Sequence, residues 1–182
     1  MGAGWQIRPE GPKDADDVAS LDEDGFGPGR FAKSAWRLRE GVAPEHALNF
    51  VAADEAGTLL GSVRFWPILV GGEKSLLLGP LAVKSELRGQ GIGIALMHAG
   101  IDAAKAAGFK TILLVGDEPY YARVGFAPLA SGKVRFPGPV DRTRILGLAL
   151  VDGALDGLSG GITRARIDAP VCADGAPLGA RP

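Results

Sequence analysis

The chain has 182 residues, 46% of them hydrophobic and 23% charged, with a net charge of −1. That length supports one domain with a real core, and the scattered Lys and Arg leave no electrostatic footprint for nucleic acid or an anionic membrane. Cys172 stands alone, which excludes an internal disulfide, and with His46 and His98 the only histidines no metal site is expected.

In chain order, the first residues carry neither a signal-peptide pattern nor the Ser or Thr of a myristoylation site. No apolar run approaches a membrane span, so a cytoplasmic protein is expected. Residues 5–8 alternate like a first strand, and 12–21 read as a helix with acidic residues in its first turn. A second helix is expected over 31–40. Strands follow over 48–53 and 59–70 around the turn Asp54-Glu55-Ala56-Gly57, then over 76–83. From 91 to 107, Ile92, Ala95, Leu96, Ala99 and Ala103 recur at helical spacing, with His98, Asp102 and Lys105 on other faces. A strand over 112–115 closes an α/β order. Beyond Phe126 the chain becomes rich in Gly and Pro, with strands expected near 145–151 and 162–167, and 168–182 reads as a tail too poor in apolar mass to pack alone.

The segment that speaks most directly of function is Leu81-Ala82-Val83 followed by Arg88-Gly89-Gln90-Gly91-Ile92-Gly93, which reads as strand, glycine loop and helix start. Unhindered N–H groups at such a junction converge on the positive end of a helix and favour a bound phosphate. Two familiar loops do not fit. A dinucleotide fingerprint needs a third glycine where this chain has Ile94 or Leu96, and a P-loop needs Lys then Ser or Thr where it has Ile94 and Ala95. Gly157-Leu158-Ser159-Gly160-Gly161 matches the nucleophile elbow of hydrolases, but no His follows Ser159 and Ile162-Thr163-Arg164 is strand-like, so a hairpin turn is the expectation there.

Arg-x-x-Gly-x-Gly after a Leu-Ala-Val strand instead resembles motif A of the GNAT acyltransferases. The run from Ile112 to Phe126, with Tyr121 four residues before Gly125-Phe126, resembles motif B of the same family, and its doubled tyrosine and Arg123 resemble the YhbS-type bacterial subgroup. The resemblance spans roughly residues 7–126. It implies an α/β fold of mixed α+β character, with a central twisted mixed β-sheet flanked by helices in one domain, 1–167, followed by the tail. It also implies acetyl-CoA as acyl-donor co-substrate and an amine acceptor that is a small molecule or a protein amine; the charge pattern and the apolar runs lead to the expectation of no nucleic-acid or membrane partner, and a homodimer stays open. One departure stands out: many relatives have Asn just after the motif B strand, where this chain has Gly116-Asp117.

Mapped onto this chain, the resemblance gives Leu81 a backbone N–H that polarises the thioester carbonyl. Ala82 and Val83 lie along the coenzyme arm, Val83 pairing with the pantetheine amides. Arg88, Gly89, Gln90, Gly91, Gly93 and Ile94 ring the pyrophosphate. Tyr121 is the candidate general acid for the departing thiolate, with Tyr120 as fallback, and Arg123 either reaches the coenzyme phosphates or pairs with a carboxylate. An alkyl amine of pKa about 10.4 is neutral in roughly one part in a thousand at pH 7, so a base or a desolvating pocket is needed. Asp117 and Glu118, or Asp22, Glu23 and Asp24 between the first two helices, are candidates, beside a water-mediated route. His98 reads as a surface residue paired with Asp102. With Cys172 the only thiol, direct transfer in a ternary complex is expected rather than an acetyl-enzyme. The alternatives are an acyl-CoA-binding sensor or scaffold without catalysis and, less well matched, a nucleotide-binding oxidoreductase.

Overall fold

A computed structural model describes residues 4–29 and 34–165. Nine strands among them form one mixed sheet. β1 (Trp5–Pro9), β2 (Phe50–Asp54), β3 (Leu59–Val70) and β4 (Glu73–Val83) run antiparallel in sequence order. β4 then pairs in parallel with β5 (Thr111–Val115), which is followed across the sheet by β8 (Ile145–Ala149) and β6 (Ala127–Pro128). β7 (Val134–Arg135) and β9 (Gly160–Arg164) pair in parallel with each other, and β9 adds to the far end of β3. The turn from β3 to β4 is tighter than the sequence suggests. Gly71 and Gly72 both take positive φ, 57° and 95°, as a two-residue hairpin requires, so β4 starts at Glu73 rather than 76.

The runs Leu76-Leu77-Leu78 and Ile112-Leu113-Leu114 are apolar without alternation because both faces of these strands are covered. Leu76, Leu78, Ile112 and Leu114 join the core beneath α3 (Ile92–Ala106), while Leu77 and Leu113 meet Leu38, Val134, Leu158 and Ile162 on the other side. α1 (Ala15–Phe26) covers that second face nearer β2, through Val18 and Leu21 against Val51, Leu59 and Ala82. No helix among the described residues is long and apolar enough to cross a membrane.

Several expectations shift. The first helix runs on to Phe26 and ends at Gly27, φ 64°, so Asp22, Glu23 and Asp24 lie within it and not in a connection. Only Ser34–Arg37 is helical (α2) in the second predicted helix; Phe31, Ala32 and Lys33 lie outside the described residues. The buried stripe of α3 runs through Gly93, Met97, Gly100, Ile101 and Ala104 as well as Ile92 and Leu96, whereas Ala95, Ala99 and Ala103 are only half-buried. The reason is Gly100, where a Cβ would overlap the Phe65 ring; the missing side chain lets the helix settle on β3 and turns that face inward. Residues 157–161 form no hairpin turn, because β8 and β9 do not pair. They lead into β9, and Gly160 lies directly on Gly71 of the β3–β4 turn. The predicted tail and Cys172 lie outside the described residues.

Candidate active site

The pairing of β4 with β5 extends over only two positions, Leu76 with Ile112 and Leu77 with Leu113, after which the strands diverge. On its other side β4 stays paired with β3 to its end, through one extra residue around Gly79-Pro80, since Val63 faces Leu81 while Phe65 faces Leu78. Lys84 N–H donates to the Leu60 carbonyl at 2.9 Å, in line with Gly61 opposite Val83 and Val63 opposite Leu81. Bonded and non-bonded pairs alternate in an antiparallel ladder. Leu81 and Val83 therefore occupy non-bonded pairs and turn their N–H and C=O groups away from β3, into the gap that β5 has left.

Two cavities meet at that gap. The first, of about 420 Å³, is lined by Leu81, Ala82 and Val83, by the loop and first turn of α3, and by Gly25, Phe26, Tyr120, Tyr121 and Arg123. Gly89 and Gly91 take φ of 83° and 86°, and α3 begins immediately after Gly91. The N–H of Ala95 already closes on the Gly91 carbonyl at 3.0 Å, so the N–H groups of Ile92, Gly93 and Ile94 precede the helical ladder and face its open end. At Gly93 a Cβ would collide with the Tyr120 hydroxyl, which lies over this first turn. Of the predicted coenzyme residues, Leu81, Ala82, Val83, Arg88, Gly89, Gly91, Gly93, Ile94 and Tyr121 line the cavity. Gln90 is exposed and is absent from that lining. Arg88 and Arg123 bring two exposed cations to one wall.

The second cavity, of about 440 Å³, opens on the other side and shares Phe26, Leu81, Asp117 and Tyr121 with the first. Its remaining wall comes from Trp36 and Arg39, from Leu78-Gly79-Pro80, and from a loop carrying Asp141 and Arg144. None of these was picked out as a site residue from the sequence, where they lie far apart; the one available signal was Trp36 and Arg39 three residues apart on the expected second helix.

Tyr121 stands between the cavities. It begins from α4 (Glu118–Tyr121), a single turn with Pro119 in its first positions. Its ring meets Tyr120 edge-on at 5.2 Å and Phe126 at 6.1 Å. Gly116 is what admits the ring there, because a Cβ at that position would overlap it. Gly116, the first residue after β5, thus provides room for the ring. Burial, reinforced by Tyr120 and Asp117, pushes the Tyr121 hydroxyl up to about 12, so it stays protonated at neutral pH. Burial also raises Tyr120, which lines the first cavity and not the second.

The carboxylates separate. Asp117 borders both cavities and pairs with Arg144 at 3.1 Å, largely in solvent. Glu118, Glu23 and Asp24 are exposed and line neither. Asp22 is buried and lines a third cavity, of about 290 Å³, that shares Trp36, Arg39 and Pro80 with the second. His98 and Asp102 are both exposed on α3.

Arg39 lies between the second and third cavities. Its guanidinium carbon is 4.6 Å from the Trp36 ring centre and 5.9 Å from that of Trp66. Its Nε is buried without a hydrogen-bond partner among the described residues. Cation–π contacts contribute about 0.5–2 kcal/mol each, less than the several kcal/mol that withdrawing an ion from water costs. Burial accordingly pulls Arg39 down to about 10, against the opposing pull of Asp22 and Tyr121, and it remains a cation at neutral pH.

The profile of the Acetyltransferase (GNAT) family matches residues 15–126. The uncharacterized N-acetyltransferase YhbS of Escherichia coli K12 is 34% identical over 156 residues, covering 85% of this chain and 92% of its own. YjhQ, an uncharacterized N-acetyltransferase of the same organism, is 32% identical over 130 residues, covering 69% and 71%. Among solved structures, E. coli YhbS in complex with CoA superposes with a TM-score of 0.77 at 31% identity, over 91% of this chain and 92% of that one. A GNAT acetyltransferase from Brucella melitensis in complex with acetyl-CoA gives 0.59 at 28% identity, over 84% and 98%.

Proposed function

The chain belongs to the GNAT acetyltransferase family, and from that premise we propose that it moves the acetyl group of acetyl-CoA to an amine by direct transfer in a ternary complex. The observation that carries this reading is the meeting of two cavities at Leu81 and Tyr121, where β4 and β5 part. The first has the features of the donor site: glycine N–H groups and a helix N-terminus for the pyrophosphate, and the outward-turned edge of Leu81 and Val83 for the pantetheine amides. YhbS and the Brucella enzyme, which hold CoA and acetyl-CoA, support that ligand here. The second cavity takes the acceptor.

In this mechanism the neutral amine attacks the thioester carbonyl carbon and the Leu81 N–H stabilises the developing oxyanion. As the C–S bond breaks, the Tyr121 hydroxyl gives its proton to the leaving thiolate. The amine's proton leaves by water toward Asp117, whose exposure links it to bulk solvent. Tyr121 is favoured over Tyr120 for bordering both cavities. Two openings onto one junction support attack without a covalent relay, because the reactants are held side by side.

Spectrophotometric release of CoA thiol tests the reading, with acetyl-CoA and a panel of polyamines, aminoglycosides, amino acids and peptide N-termini. Acceptor-dependent release is expected. If acetyl-CoA binds by calorimetry while no amine accelerates thiol release, the protein is an acyl-CoA-binding module instead.

A further inference from the structure

Arg39 is a half-buried cation beside the acceptor cavity with its Nε out of solvent, and no carboxylate forms an ion pair with it among the described residues. Asp22 is the carboxylate nearest in effect, acting through space and from the third cavity. The Nε1–H of Trp66, another lining residue of that cavity, is also buried without a partner among the described residues. Both groups line the third cavity, where Asp22 also lies, but Arg39 alone of the two lines the acceptor cavity as well, and its guanidinium is there a charged donor suited to an acceptor of hydrogen bonds with negative charge.

We propose that Arg39 holds the carboxylate of the acceptor, so that the substrates of this enzyme are small amino acids or close amine-bearing carboxylic acids. The inference rests on the acetyltransferase reading above and adds the acceptor's chemical class to it. A carboxylate is preferred to a phosphate because Arg39 supplies a single positive charge: Arg64 is committed to Glu10 and Arg144 to Asp117. The length of the acceptor follows from β4. The Arg39 Nη2 lies 3.0 Å from the position a Cβ would take on Gly79, and Leu81 is two residues further on, about 7 Å at most along a strand. A carboxylate on Arg39 and an amine at the Leu81–Tyr121 junction are then separated by a few bonds, as in an α- or β-amino acid. The carboxylate of such an acceptor then finds its opposite charge at Arg39.

The test measures CoA release for each free amino acid beside its C-terminal amide, its decarboxylated amine and an aminoalkyl phosphonate of matching length. Wild type, Arg39→Lys and Arg39→Gln are compared. At least one acid is expected to exceed its amide by about 10²-fold in kcat/KM, mainly through KM. Arg39→Gln should collapse that ratio to within threefold, and Arg39→Lys should retain part of it. Acetyl-CoA affinity by calorimetry should stay within twofold in both variants, because Arg39 does not line the donor cavity, and this reports that they fold. Turnover of amides or simple amines as fast as of acids overturns the inference and leaves the acetyltransferase reading standing. The same holds for phosphonates outperforming carboxylates, or for discrimination that survives Arg39→Gln. Acetyl-CoA binding with no turnover of any amine overturns both.

Discussion

The two cavities that meet at Tyr121 are built from different materials. The proposed donor side is mostly backbone: a strand edge, two glycines with left-handed φ and a helix N-terminus. The proposed acceptor side is mostly side chain: Trp36, Arg39, Asp141 and Arg144, carried by segments about a hundred residues apart. A site made of backbone tolerates exchange of many side chains but not of glycines. A site made of side chains changes character with a single substitution.

The sharpest way to break this contrast is at the shared wall. Tyr121→Phe keeps the ring and removes the proton, so kcat should fall by about 10²–10⁴-fold with acetyl-CoA affinity changed less than threefold. A fall under threefold transfers the role to Tyr120 or to water. With burial pushing the hydroxyl up to about 12, wild-type turnover should show no alkaline decline from this group at any pH well below that value.

Gly91→Asn probes the donor side. Asn tolerates left-handed φ better than most residues, and nothing among the described residues lies within 4 Å of the added Cβ, so the fold should survive. The side chain enters the space assigned to the pyrophosphate, and acetyl-CoA affinity should drop by roughly 10–10²-fold, with Gly91→Val worse because of its branched Cβ. Unchanged affinity in calorimetry removes the phosphate-loop assignment. Gly116→Ala is the complementary change. Its methyl displaces the Tyr121 ring, so turnover should fall by about tenfold while acetyl-CoA still binds. Loss of both together would mean that the cavities are not separable at this wall. The smallest effect is expected from Cys172→Ala, which should leave kcat and KM unaltered, with intersecting double-reciprocal plots. Parallel plots or an isolated acetyl-enzyme would replace direct transfer by a covalent route.

The same contrast explains what could be read from the sequence. The spacing of Gly89, Gly91 and Gly93 marks a strand-to-helix junction, where the structure has left-handed φ at Gly89 and Gly91 and the start of α3, and the family resemblance covers the strands around them. The divergence of β4 from β5 is less visible: Leu78 is as apolar as Leu77, and nothing local marks where pairing stops. The length of α1 was hidden by Asp22-Glu23-Asp24-Gly25, which resembles a loop until burial of Asp22 and the stop at Gly27 are seen. The inward face of α3 departs from the alanine positions that the spacing picks out because Gly100, which carries no hydrophobic signal, is in place the seat of Phe65. Trp36 and Arg39 acquire meaning only when the fold brings Gly79 and Tyr121 beside them.

Leu81 forms part of both cavities, and the strand behind it is fixed by β3 to its last residue. Evolutionary drift of acceptor preference therefore has little freedom on β4, where any displacement adapting one substrate would misalign the other. The freedom lies on the opposite wall, in the stretch around Trp36 and Arg39 and the loop carrying Asp141. Descendants of this chain that acquire new acceptors should differ there first, while the Leu-Ala-Val strand and its glycine loop stay as they are.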